Sequence, residues 1–360
     1  MRYFLSVFLV CFGFFSLSAQ TDKEKSVDFA RKGIKLVDLK KYDEGIAMFR
    51  KGAALDTGNS LFYYEIATAF YMQEKFDSVI LIMRKVLDKP DANDQFYQIL
   101  GNAFDMKKES ERAMETYRAG LKKFPASGIL YLECGIVMQA KDSTQKAIEY
   151  WERGVNADPG ISSNYYYLAK AYAAMPDKTW ALLYGEVFMN IERNSKRSEE
   201  MSKILFDASD SYLQNIAEPK AASAMSDNSA VKNDNEKNPV KPFNKVFGQT
   251  MLESYVKIRA EEENIAGIAL LYSVDCDFVK SWYSKLLDKS YPNIIFNLHK
   301  ELIANGYFEA YLHWLFMKGN EKEFALWYNA HVEKYKAFVA WFTKNPMKIN
   351  AQNFISGTKY

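Results

Sequence analysis

Tyr97–Pro125 reads YQILGNAFDMKKESERAMETYRAGLKKFP, and its spacing decides the fold. Tyr97, Leu100, Gly101 and Phe104 fall three and four residues apart, so they share one face of a helix. Ala113, Tyr117, Gly120 and Leu121 make a matching stripe on a second helix. The small residue in the first stripe lets the second helix approach closely. Such a helical hairpin cannot bury its apolar face alone. It needs a neighbour of the same kind.

The neighbours are present at a fixed period. Gly33, Ala67, Gly101, Gly135 and Ala169 follow one another at intervals of 34 residues. Phe29, Tyr63, Tyr97, Tyr131 and Tyr165 keep the same interval and are all aromatic. Leu36, Phe70, Phe104, Met138 and Tyr172 form a third series, and Gly45, Val79, Ala113, Ala147 and Ala181 a fourth. Phe49, Met83, Tyr117 and Trp151 form a fifth, which ends at Gly185, and Pro125 and Pro159 stand at turn positions in step. Stacked hairpins of this period make one continuous core, a solenoid.

Tyr97-x2-Leu100-Gly101-x2-Phe104 with Ala113, Tyr117, Gly120 and Pro125 resembles the tetratricopeptide repeat. Tyr131, Cys134, Gly135, Ala147, Trp151, Gly154 and Pro159 resemble it nearly as well. The resemblance covers residues 26–193 and implies an all-α superhelical solenoid that binds a partner protein or peptide. It also implies that the first helix of each hairpin lines a concave groove. The groove residues expected on that basis are Tyr64, Thr68, Tyr71 and Met72, then Gln95, Gln98, Asn102 and Asp105. Leu132, Ile136 and Gln139 follow, then Tyr166 and Lys170. This surface reads as neutral, amide-rich and aromatic, suited to a peptide backbone. The rival expectation is that the protein's own C-terminal helices fill it. The Lys and Asn clamp by which some family members hold acidic chaperone tails is missing: Ala30, Ile34 and Glu65 stand in its places.

Outside the repeats the chain changes character. Residues 1–20 read as a secretory signal peptide, with Arg2, the apolar run Tyr3–Phe15 and the small residues Ser16–Ala19. A lipoprotein reading through Cys11 is the alternative, against which Val10 precedes the cysteine. The expected location is the periplasm of a Gram-negative bacterium, with cell surface or secretion as alternatives, and membership of an envelope complex follows as an expectation. No other apolar run is long enough to span a membrane. The solenoid is expected over 21–216, about five repeats and a capping helix over 196–216. Residues 217–242 lose nearly all large apolar side chains and read as a disordered linker. A helical C-terminal domain is expected over 243–360, with helices from Pro292 to Gly306, from Tyr307 to Lys318 and from Glu321 to Asn345.

Chemistry is hard to find. The 47 basic and 45 acidic residues nearly cancel, without the concentrated basic surface that nucleic acid requires. His299, His313 and His331 have no metal-ligand spacing, and no phosphate loop or nucleophile elbow occurs. Neither a cofactor nor a metal is expected, and the histidines read as core side chains. Cys276 with His299 or His313 is the one conceivable nucleophile pair, and Asp275 and Asp277 beside it would blunt the thiol. Glu261, Glu262 and Glu263 point in different directions on a helix and read as a solvated face. Cys134 and Cys276 read as buried thiols. The function expected is a non-catalytic protein-binding scaffold. The alternative is a module for glycan or peptidoglycan, in which Trp282, Trp314, Trp327 and Trp341 would stack on sugar rings.

Overall fold

The structure, a computed structural model, describes residues 3–217 and 243–359, the side chains of 3–20 and of 217 excepted. The described residues are helical with no strand among them. They form two compact units, 1–142 and 143–360. The division falls between Asp142 and Ser143 and not in the 217–242 stretch, of which 218–242 lie outside the described residues.

Unit one holds α1 (Tyr3–Asp38), α2 (Tyr42–Leu55), α3 (Leu61–Met72), α4 (Phe76–Val86), α5 (Asp94–Met106), α6 (Ser110–Lys123) and α7 (Gly128–Ala140). The apolar series becomes its core. Phe49 and Met83 are fully buried, and Tyr117 nearly so. The small residue in the stripe is dictated by contact: a Cβ on Gly101 would lie 2.2 Å from the Tyr117 ring, and one on Gly33 2.4 Å from Phe49. α1, α3, α5 and α7 touch along their sides more closely than α2, α4 and α6 touch each other. The first helix of each hairpin therefore lines the inner curve of this unit. α1 runs unbroken through the expected signal segment, whose side chains lie outside the described residues.

The hairpin turns repeat a feature absent from the apolar pattern. Lys40, Glu74, Lys108 and Asp142, again 34 apart, take positive φ of 61, 58, 65 and 53°. Each closes a helix C-terminus: Lys41 N donates to Leu36 O at 2.8 Å, and Glu109 N to Phe104 O at 2.9 Å. Glycine usually occupies this position, because a Cβ is strained in the left-handed region. Glu74→Gly and Lys108→Gly are each expected to stabilise unit one by about 0.5–1 kcal/mol, since relief of that strain exceeds the entropy lost. Urea denaturation followed by circular dichroism measures it; a lower midpoint in both variants would contradict the strain argument. The next position in register is Pro176, whose ring forbids positive φ. There Lys178 Nζ instead donates to Ala173 O at 2.7 Å and Met175 O at 2.5 Å.

Unit two starts with α8 (Thr144–Ala157), α9 (Ser162–Ala173), α10 (Thr179–Ile191) and α11 (Lys196–Ala217). It continues with α12 (Phe243–Glu261), α13 (Gly267–Ser284), the short α14 (Leu287–Ser290), α15 (Ile294–Ala304) and α16 (Phe308–Leu315), and ends with α17 (Glu321–Ala330) and α18 (Val332–Lys344). The last two were expected as one helix. His331 breaks it with φ −132° and ψ 32°, and its ring stacks on Trp327, which also stacks on His313 at 4.1 Å. α12 packs on α10 and α11, so the C-terminal helices share one core with the last repeat helices. Trp180 meets Phe243 at 5.3 Å and Tyr212 meets Phe247 at 5.7 Å. Glu323 anchors the start of α13 by accepting from Ile268 N at 2.9 Å, where a negative charge meets the positive helix end. Beyond α18 the chain returns to α8 and α10: Ser356 Oγ donates to Glu152 at 2.7 Å and Gly357 N to Tyr184 OH at 2.6 Å.

Candidate functional site

The inner curve of unit one brings most of the expected groove residues together. Tyr64 on α3 stacks on Phe96 of α5 with ring centroids 5.6 Å apart and nearly parallel planes. Thr68 turns back to donate to Tyr64 O, which is ordinary for a helical threonine. Tyr71 packs edge-on against Phe76. Gln98 Nε2 on α5 donates to Glu133 Oε1 on α7 at 2.7 Å. Asn102 takes a hydrogen bond from Tyr117 OH at 2.5 Å and gives one to Glu133. Asp105 accepts from Ser110 at 3.3 Å. Met72, Gln95 and Gln139 are exposed and form the rim. Leu132 is buried and Ile136 half-buried.

Two acidic residues change the chemistry of this surface. Burial pushes the Glu133 carboxyl above its usual range, and the charge of Asp105 adds to that effect. Burial does the same to Glu65 on α3. Tyr71 is raised by its own burial and by Glu133 and Asp105. Two glutamates outside the expected set thus join this surface, each shifted by burial toward its neutral form. Glu65 and Glu133 stand two repeats apart in one register, with Ile99 between. The sequence did carry a signal. Neither glutamate has a basic residue three or four positions away, the spacing at which a solvated helical glutamate finds its partner.

Tyr166 and Lys170 lie in unit two and are engaged there. Lys170 Nζ and Tyr166 OH both bond Glu200 of α11, at 2.7 and 2.5 Å. Arg197 sits over the Tyr166 ring at 5.0 Å. Their partner is thus the helix expected to cap the repeats, and not one of the C-terminal helices.

The other candidates are core. Trp282 is fully buried, Trp314 and Trp327 are buried and Trp341 is half-buried against Tyr307, which leaves little indole face for a sugar ring. His313 is buried in a stack, and burial lowers its pKa. Cys134 is buried, Cys276 half-buried, and both are free thiols. Burial and the Asp275 charge push Cys276 up to about 11, so little thiolate forms at neutral pH. Among the described residues no cluster of three or more potential ligands could hold a metal ion. No helix among them is long and apolar enough to cross a membrane.

No family model matches the sequence, and no curated protein matches it either. Solved structures do. One is PilF of Pseudomonas aeruginosa, 17% identical, with 57% of this chain and 90% of that one covered and a TM-score of 0.44. Another is MamA of Desulfovibrio magneticus, 16% identical over 48% of this chain and 97% of that one, with a TM-score of 0.37. YrrB, described as a TPR protein with an unusual peptide-binding site, is 15% identical over 51% of this chain and 94% of that one, with a TM-score of 0.34. These overlaps are low, and the assignment rests on the chain's own register. Hairpins at a period of 34 residues, a small residue under an aromatic ring, and a left-handed turn at four successive tips make an all-α helical-hairpin repeat, the architecture that the tetratricopeptide resemblance implies.

Proposed function

We propose that this protein is a non-catalytic scaffold of the bacterial envelope that holds a peptide segment of a partner protein on the inner curve of unit one. The observation that carries this reading is the Gln98–Asn102–Glu133 cluster beside Tyr64 and Tyr71. Amides and tyrosines can pair with a peptide backbone, and half-buried carboxylates favour a basic side chain or free backbone N–H groups on the partner. The signal-like residues 1–20 support export. Their removal would leave α1 from Thr21 onward, including the buried Ser26 and the close-packed Gly33.

The test is a crosslinked capture from native envelope by the chain beginning at residue 21. The control carries Tyr64→Ala, Tyr71→Ala, Gln98→Ala and Asn102→Ala together, with folding checked by circular dichroism. For an isolated partner peptide the control is expected to bind at least about tenfold more weakly, a loss of some 1.4 kcal/mol. Glu133→Gln alone should reduce affinity for a basic peptide more than for a neutral one. Equal capture by wild type and control would move the site elsewhere, and no capture by either would remove the scaffold reading.

A further inference from the structure

Unit two holds a partly open cavity of about 50 Å³ that plays no part in the peptide reading. Its walls come from six helices, with Leu205 of α11, Leu271 and Phe278 of α13 and Phe296 of α15 among them. One end is polar. There Glu186 of α10 accepts from Tyr311 OH at 2.6 Å and lies 2.5 Å from His299 Nε2. Glu186 and His299 thus answer each other, and Asn190 completes the set by donating to Tyr311 at 2.8 Å.

Asp275 also lines the cavity, and no hydrogen bond reaches its carboxylate among the described residues. The charged groups acting on it are Glu186 and His299. Asp275 is half-buried, so a carboxylate without a hydrogen-bond donor, bordered by leucine and phenylalanine and opposed by Glu186, is only partly offset by the His299 imidazole. Such a site takes a ligand that brings the missing charge and an apolar body. Two carboxylates against one imidazole leave an excess of negative charge, which excludes an anion.

We propose that this cavity binds a small alkylammonium ion, with its charged head on Asp275 and Glu186 and its short chain among Leu205, Leu271, Phe278 and Phe296. The volume admits about three to five water-sized groups, which fits a chain of three or four carbons.

The experiment is calorimetric titration of the chain from residue 21 with butylammonium, 1-butanol and butyrate. Butylammonium should bind at least about tenfold more tightly than butanol, and butyrate should not bind. Asp275→Asn should abolish the preference for the amine, and Leu271→Trp should abolish binding of both. An independent arm does not depend on how these variants fold. Burial holds the Asp275 carboxyl at about 7 when the cavity is empty, with Glu186 adding to it and His299 opposing. A cation must then expel its proton, so affinity should rise about tenfold from pH 6 to pH 8 while the amine stays charged. Butanol bound as tightly as the amine would overturn the proposal. So would an affinity independent of pH, or no saturable heat with either ligand, the result for a cavity that holds only water.

Discussion

Trp282→Ala is expected to destabilise unit two by about 3–5 kcal/mol, the range for removing a large aromatic side chain from a close-packed core. Trp282 is fully buried, with Phe296 at 4.9 Å, Phe278 at 5.4 Å and Phe243 at 6.0 Å around it. These rings come from α12, α13 and α15, so the cavity would loosen three helices at once. Trp282→Phe is the informative comparison. The indole Nε1 is buried without a hydrogen-bond partner, so phenylalanine removes a polar group that gains nothing there. It should cost less than about 1.5 kcal/mol. All six tryptophans lie in unit two, so in urea the fluorescence of the remaining five reads that unit alone. Equal losses for both variants would mean that ring packing does not hold this core.

Unit two should also lose stability as pH rises, and Asp275→Asn should remove much of that loss. Asp275 sits at about 7 in the folded chain, against an ordinary 3.8. Between those values the folded state holds a proton that the unfolded state has released. Its contribution is therefore complete below about pH 4 and is withdrawn as pH climbs to about 7, by as much as about 4 kcal/mol. His299 acts in the same direction. Burial disfavours its charged form, but Glu186 outweighs burial and raises the pKa, so its contribution also fades with rising pH. Glu152, raised by burial, adds the same sign. The expected result is a lower urea midpoint at pH 8 than at pH 5 for the wild type. Asp275→Asn should gain about 2–4 kcal/mol at pH 8 and about 1–2 kcal/mol at pH 5. A wild-type midpoint that is level or rises over this interval would refute the assignment.

The repeat was legible because its cause is local: residues three, four and 34 apart must face one another, and composition records that directly. The turn at each tip was not legible. Lys40, Glu74, Lys108 and Asp142 are not residues that announce a left-handed turn, and only their common register connects them. The break at His331 escaped for a different reason. Neither glycine nor proline marks it; the stacking of two histidines on Trp327 does, and His313 lies 18 positions from His331. Glu133 was not among the expected groove residues, because it joins that surface only when Gln98 and Asn102 on another helix turn toward it. Asp275 was read as a neighbour of Cys276. Its place at the polar end of a cavity depends on helices more than 80 positions earlier and 20 later.

The docked segment around Ser356 has a consequence for how the chain folds as it is made. Ser356 bonds to Glu152 across 204 positions, and Gly357 to Tyr184 across 173. The hairpins of unit one join neighbours about 34 residues apart and can close as soon as each emerges. Unit two begins with neighbouring helices of the same register but also needs its far segment. Ile355 is buried in its core, and Glu152 lacks the Ser356 hydroxyl until residue 356 has been made. Synthesis therefore divides into a part that assembles hairpin by hairpin and a part that must wait, its aromatic surfaces open to other molecules meanwhile.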